Sequence, residues 1–214
     1  MIKAVLFDFD GVVVQSEPMH LLSFRELLLP LGIKISKERW YKEFTGIGST
    51  AIMARLFEDY SVKKDVKIWV EKRKRLYQKY IMEGKIKSVP GVRGFLQKLK
   101  MQKIKTAIVS GGHGTNIRLV LERLKLTQFF EVIIGLEDVQ QRKPHPEGFL
   151  LAAQRLGVKP TECIAIEDSP NGMAAAHAAK MQVVCVSSPA KIDRGKCKFV
   201  IKDFSKFPKE LEFG

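Results

Sequence analysis

The sequence predicts an α/β protein with a parallel sheet, interrupted once by an all-helical insertion. Two observations carry this. Five short apolar runs, Ile2–Phe9, Thr106–Val109, Val132–Gly135, Cys163–Ile166 and Gln182–Val186, are continuous rather than alternating and rich in Val and Ile, the pattern of strands covered on both faces. Amphipathic stretches separate the last four, and strands alternating with helices argue for parallel pairing through right-handed crossovers.

Taken in order, Ile2–Phe9 is the first strand. Residues 15–88 then read as helix after helix. Leu21, Phe24, Leu28 and Leu31 are spaced 3, 4, 3, and Ile52, Met53, Leu56 and Phe57 form a second stripe. Val66, Val70, Tyr77 and Tyr80 form a third, with Arg73 at the position its spacing leaves open. The expected hinges lie near Val13–Ser16 and Ser88–Gly91, where Val-Pro-Gly signals a turn. This divides the chain into a core of residues 1–14 and 89–214 and an inserted helical domain of 15–88. Beyond the insertion, Ile117, Val120, Leu121 and Leu124 share one helical face, as do Phe149, Leu150, Ala153 and Leu156.

Composition narrows the class of function. The 214 residues are 45% hydrophobic and 28% charged, which argues against disorder. No apolar run approaches the roughly 18 residues of a membrane span, and the acidic residues soon after Met1 are unlike a signal peptide. The net charge is +14, which alone would suit a nucleic acid or an anionic surface. It is spread evenly: residues 15–88 hold 16 basic and 9 acidic side chains, the remainder 21 and 14, so each part carries +7. A solvated Lys-rich surface explains this better than a non-enzymatic nucleic-acid-binding face. Cys163, Cys185 and Cys197 are odd in number and lack metal-ligand spacing, so reduced thiols in a cytoplasmic protein are expected.

Ligands of open parallel sheets sit at the carboxyl ends of strands. Asp8-Phe9-Asp10-Gly11 follows the first run and Ser110-Gly111-Gly112 the second. Arg142-Lys143-Pro144 precedes the fourth, and Glu167-Asp168-Ser169-Pro170-Asn171-Gly172 follows it. Carboxylates gathered from separate loops repel one another unless something positive lies among them, and an oxygen-rich set of this kind suits Mg²⁺. Ser110, the amides of the Gly-Gly loop and Lys143 suit a phosphate. A carboxylate beside a metal-bound phosphate is a competent nucleophile, and a second carboxylate two residues on can serve as acid and then base. Asp168 or Ser169 can also cap the helix that Pro170 opens.

The motifs Asp8-x-Asp10-Gly11, Ser110, Lys143-Pro144 and Glu167-Asp168, in this order, resemble the haloacid dehalogenase superfamily. The closer likeness is to its phosphatase and β-phosphoglucomutase-like branch, and it covers nearly the whole chain. The resemblance implies a Rossmann-like core with a helical cap. It implies Asp8 as nucleophile and Asp10 as acid/base, with Mg²⁺ on the Asp8 carboxylate, the Asp10 carbonyl and Asp168, supported by Glu167. Ser110 and Lys143, with Gly11 and Gly111 in the adjoining loops, would hold the phosphoryl group. The expected activity is phosphomonoester hydrolysis on a sugar phosphate, a phosphoglycolate-like acid or a nucleotide, by a monomer or weak homo-oligomer with no nucleic-acid or membrane partner.

On the cap, the resemblance makes His20 and Arg73 candidate substrate contacts, each with a structural alternative. Thr45-Gly46-Ile47-Gly48-Ser49 is either a substrate-reading loop or a helix-helix turn. His113 is a weaker candidate for the site, and His145 and His177 are read as non-functional. The sugar-phosphate mutases carry an Arg where this chain has Ser49, which favours a phosphatase. A hexose-phosphate mutase is the alternative, with Arg39 or Arg55 as substitutes for the missing clamp.

Overall fold

The structure, a computed structural model, describes residues 1–187 and 193–207. It divides into two compact units, Met1–Gln15 with Lys87–Gly214, and Ser16–Ile86.

The first unit holds a six-stranded sheet. Along the chain come β1 (Ala4–Phe7) and the short β2 (Val14–Gln15). The second unit follows, with helices α1 (Glu17–Leu28), α2 (Lys37–Arg39), α3 (Ser49–Asp59) and α4 (Val66–Met82). The first unit resumes with β3 (Lys87–Ser88), α5 (Val92–Met101), β4 (Lys105–Val109), α6 (Gly114–Arg123) and β5 (Val132–Ile134). It ends with α7 (Glu147–Leu156), β6 (Cys163–Glu167), α8 (Pro170–Ala178), β7 (Gln182–Val186) and β8 (Phe199–Ile201).

The sheet order is β5-β4-β1-β6-β7-β8, and every pairing is parallel. β1 lies between β4 and β6, so the loops after these three strands open on one edge. β2 and β3 pair antiparallel, Val14 opposite Ser88, where the chain leaves this unit and returns.

The continuous apolar strands are explained by burial on both faces. Ala4 and Leu6 join Val109, Phe149 and Ala153 in one core cluster. Phe7, one residue on and therefore on the opposite face, meets Phe95, Phe130 and Phe204 edge-on or tilted. Phe95 in turn stacks on Phe204 and Phe207. The short edge strand β8 had no counterpart among the expected strands. Its three residues lie between Lys198 and Lys202, and charges flanking an edge strand hide its apolar signal.

The helical unit has its own core, in which Leu21, Phe24, Leu28, Trp40, Phe44, Met53, Leu56 and Phe57 pack together. Trp40 anchors it by donating from Nε1 to Glu17 Oε2 at 2.8 Å. Among the described residues, no helix is long and apolar enough to cross a membrane.

One expectation is overturned. Cys185 and Cys197 form a disulfide with Cα atoms 5.8 Å apart, which leaves the buried Cys163 as the free thiol. The sheet register brings this about. Parallel pairing sets Cys185 opposite Val200, so the chain entering β8 passes beside β7. Closing so short a loop restricts the unfolded chain by about 3 kcal/mol. Thiol titration in denaturant without reductant should therefore find one thiol, rising to three after reduction. Reduction should lower the melting temperature by roughly 5–10 °C; three thiols before reduction would contradict the pairing.

Candidate active site

The chemistry of the first unit converges on the edge where β1, β4 and β6 end. Asp8 directly follows β1, and its amide donates to Ile166 O at 2.9 Å, which ties the β1 and β6 ends together. Lys143 lies between them. Its Nζ donates to Asp8 Oδ1 at 2.6 Å, to Glu167 Oε1 at 2.5 Å and to Val109 O at 2.8 Å. All three hydrogens of the ammonium thus meet oxygens from the ends of three neighbouring strands.

Glu167 is fully buried, and its second oxygen is also committed. Oε2 accepts from Asp168 N at 3.1 Å, Ser169 N at 3.3 Å and Ser169 Oγ at 3.0 Å. Ser169 Oγ accepts from Gly172 N at 3.1 Å and so caps α8. Glu167 thereby orients the loop that carries Asp168. Ligand oxygens of Asp8, Glu167 and Asp168 lie within 4.8 Å of one another, a spacing a single cation can span.

Two glycines make this approach possible. Gly11 has a φ of +81°, and a β-carbon there would overlap the Asp168 carboxylate. A β-carbon on Gly172 would overlap the carboxylate of Glu167. Gly11 was legible in the motif. The role of Gly172 was not, since an Asn-Gly pair at the start of a helix reads only as helix-start chemistry.

On the β4 side, Ser110 is buried, and its amide donates to Ile134 O at 3.0 Å. Its Oγ accepts from Gly112 N at 3.0 Å, so its hydroxyl hydrogen is directed elsewhere. The Ser110 hydroxyl and an Asp10 carboxylate oxygen both lie over the Cα of Gly112, 3.3 and 3.9 Å from where a β-carbon would stand. Gly111 is exposed in the same loop.

The chain belongs to the haloacid dehalogenase-like hydrolase family. The family's model matches residues 5–186, which takes in all four motifs. The phosphorylated carbohydrates phosphatase of Thermotoga maritima is 30% identical over 84% of this chain and 82% of its own length. Hexitol phosphatase B of Escherichia coli is 28% identical over 94% and 90%. Among solved structures, β-phosphoglucomutase from Clostridium difficile superposes with a TM-score of 0.81 at 29% identity, covering 100% of this chain and 94% of that one.

The electrostatics fit a hydrolase of this family that works beside a cation. Asp8, Asp10, Glu167 and Asp168 are four carboxylates against one ammonium, Lys143. Burial pushes the Asp8 carboxyl up to about 7, with Lys143 opposing and Glu167 and Asp10 adding to it. Burial, then Asp8, Glu167 and Asp10, pushes Asp168 up to about 9. For Lys143, burial acts downward but is outweighed by Asp8 and Glu167, so the ammonium is held more firmly than an ordinary lysine.

His113 sits at the N-cap of α6, with its Nδ1 3.8 Å from Glu137, whose carboxylate accepts from Gly114 N. His145 Nδ1 accepts from Glu147 N at 3.3 Å, and His177 Nε2 pairs with Lys196 O at 2.8 Å. His20 and Arg73 belong to the helical unit and are bonded to each other there.

Gly172→Ala tests how tightly this edge is built. The Glu167 carboxylate would have to move, at roughly 1–3 kcal/mol. Thermal unfolding should show a melting temperature several degrees lower, and an unchanged one would contradict the close approach.

Proposed function

We propose that the protein is a Mg²⁺-dependent phosphatase that hydrolyses a small phosphomonoester, with sugar phosphates the favoured class, through an aspartyl-phosphate on Asp8. The observation that carries this reading is the Lys143 ammonium held between Asp8 and Glu167 beside Asp10, Asp168 and Ser110. The names of the relatives add the substrate class: one acts on phosphorylated carbohydrates and one on hexitol phosphates.

In the first step Asp8 attacks phosphorus, the Asp8–phosphorus bond forms, and the bond to the leaving oxygen breaks. Asp10 protonates that oxygen. In the second, a water attacks phosphorus, Asp10 takes its proton, and the Asp8 carboxylate departs as phosphate is released. Ser110 directs its hydroxyl hydrogen to a phosphoryl oxygen, while Lys143, whose hydrogens are met by the chain, supplies positive charge beside the phosphoryl group and keeps Asp8 oriented for attack. The reaction is governed by positioning and charge neutralisation.

The buried excess of carboxylates over lysine fits Mg²⁺. Asp8, the Asp10 carbonyl and Asp168 would hold it, with Glu167 in support. When bound, the ion offsets negative charge on the carboxylates and on the phosphoryl group. In the same reading the helical residues 15–88 form the cap domain that selects the leaving group, and the protein works on a small molecule.

A hexose-phosphate mutase is the second reading, favoured by the likeness to β-phosphoglucomutase. The serine at position 49 weighs against it, because a hydroxyl cannot replace a bidentate guanidinium on a second phosphate.

A panel of phosphomonoesters separates the readings. Phosphate release should require Mg²⁺ and fall by at least about 10³-fold in Asp8→Asn. Conversion of glucose 1-phosphate to glucose 6-phosphate with a bisphosphate primer, and no phosphate release, would favour the mutase. Cation binding should also follow pH. With Asp8 raised to about 7 and Asp168 to about 9, protons compete with the ion at low pH. Affinity measured calorimetrically should strengthen by about tenfold or more from pH 6 to pH 8, with net proton release; a flat profile would contradict it.

A further inference from the structure

Lys143 is carried on a surface loop between β5 and α7. Its neighbours Gln140, Gln141, Arg142, Pro144 and His145 are all exposed. Its Nζ is nevertheless committed to three oxygens at 2.6, 2.8 and 2.5 Å. An exposed loop holds a side chain so closely only if its backbone is fastened.

The fastening comes from α7. Glu147, the first residue of that helix, turns its carboxylate back over the loop. Oε1 accepts from Gln140 N at 2.9 Å and Oε2 from Gln141 N at 2.8 Å. Lys143 falls inside the ring so closed. Across the same ring, His145 N donates to Arg142 O at 2.9 Å, and Glu147 N donates to His145 Nδ1 at 3.3 Å. The bonds from the Gln140 and Gln141 amides hold the Glu147 carboxyl below its ordinary range, as expected of an ionised acceptor serving two donors.

The next two residues seat this turn on the sheet. A β-carbon on Gly148 would come within 3.0 Å of Val109 Cγ1, so the helix start lies close against β4. Phe149 is fully buried, and the Lys143 Nζ lies over its ring, 5.2 Å from the centre. Glu147 fastens the loop, Gly148 lets α7 approach β4, and Phe149 underlies the ammonium. A carboxylate suits the first task because both its oxygens accept. A glutamine there would set an NH₂ donor against one of the two amides.

We propose that Glu147 is a positioning residue that closes the loop 140–147 and thereby fixes the Lys143 ammonium on Asp8 and Glu167. It touches none of the reacting groups and acts through Lys143. The kinetic consequence rests on the phosphatase reading; the placement of Lys143 does not.

Two measurements test this. Reductive methylation with formaldehyde and cyanoborohydride, read by peptide mass mapping, reports how firmly each lysine is held. Lys105, whose Nζ donates to Leu156 O at 2.6 Å in the same unit, is the internal reference. Glu147→Gln should speed modification of Lys143 by about fivefold or more and that of Lys105 by less than about twofold. The second measurement is phosphate release from the best phosphomonoester. In Glu147→Gln, kcat should fall by about tenfold or more while KM stays within about threefold, because the ammonium acts as charge develops. Glu147→Asp keeps two accepting oxygens on a shorter arm, and should retain more of kcat and hold Lys143 better than Glu147→Gln. Should Glu147→Gln fail to fold, Glu147→Asp is compared with wild type by the same two measurements, with smaller changes in the same directions expected. Equal modification of Lys143 in wild type and variant, or a parallel rise at Lys105, would overturn the proposal. An unchanged kcat, or a loss confined to KM, would overturn its kinetic consequence. If wild type turns over no phosphomonoester, the phosphatase reading fails, and the Lys143 modification rates still decide the positioning claim.

Discussion

The Lys143 ammonium is the contact on which the geometry of the sheet edge depends. It satisfies Asp8, Glu167 and the Val109 carbonyl at once, drawing on the ends of β1, β6 and β4. Without a cation there, two buried carboxylates would face each other in a medium of low polarity, where unpaired charge is expensive. With it, Asp8 is held in place just past β1 and Glu167 is free to organise its own loop. One side chain thus links the sheet order, with β1 between β4 and β6, to the chemistry at its edge.

Glu167 transmits that order outward. Its second oxygen gathers the amides of Asp168 and Ser169 and the Ser169 hydroxyl, and Ser169 then caps α8. The carboxylate can occupy that place only because residue 172 has no β-carbon, and Asp168 can approach β1 only because residue 11 has none. Structure and function share these atoms. The groups that begin α8 also aim a carboxylate at the site, so one substitution can disturb both.

Much of this was legible in the sequence. The apolar runs at 2–9, 106–109, 132–135, 163–166 and 182–186 each contain or fall within a strand of the sheet, and the residues at the ends of the first, second and fourth are those that converge. The inward direction of Arg73 followed from its place in an apolar stripe, and the structure buries it. Three features did not show. β8 is too short, and too closely flanked by lysine, to give a pattern. The Cys185–Cys197 pairing depends on a sheet register that no spacing of cysteines encodes. The bonds of Arg73 to Ser23, Ser49 and His20 join residues 24 to 53 positions apart. Periodicity tells which way a residue faces but not what it meets.

The central claim is that Asp8 itself takes the phosphoryl group. Rapid acid quench during turnover of a ³²P-labelled sugar phosphate, followed by peptide mapping, tests it most directly. The account predicts acid-stable, hydroxylamine-labile label on the peptide that contains Asp8, appearing before free phosphate and absent from Asp8→Asn. Steady phosphate release with no label on the protein at any time would contradict it, because water would then attack the substrate directly.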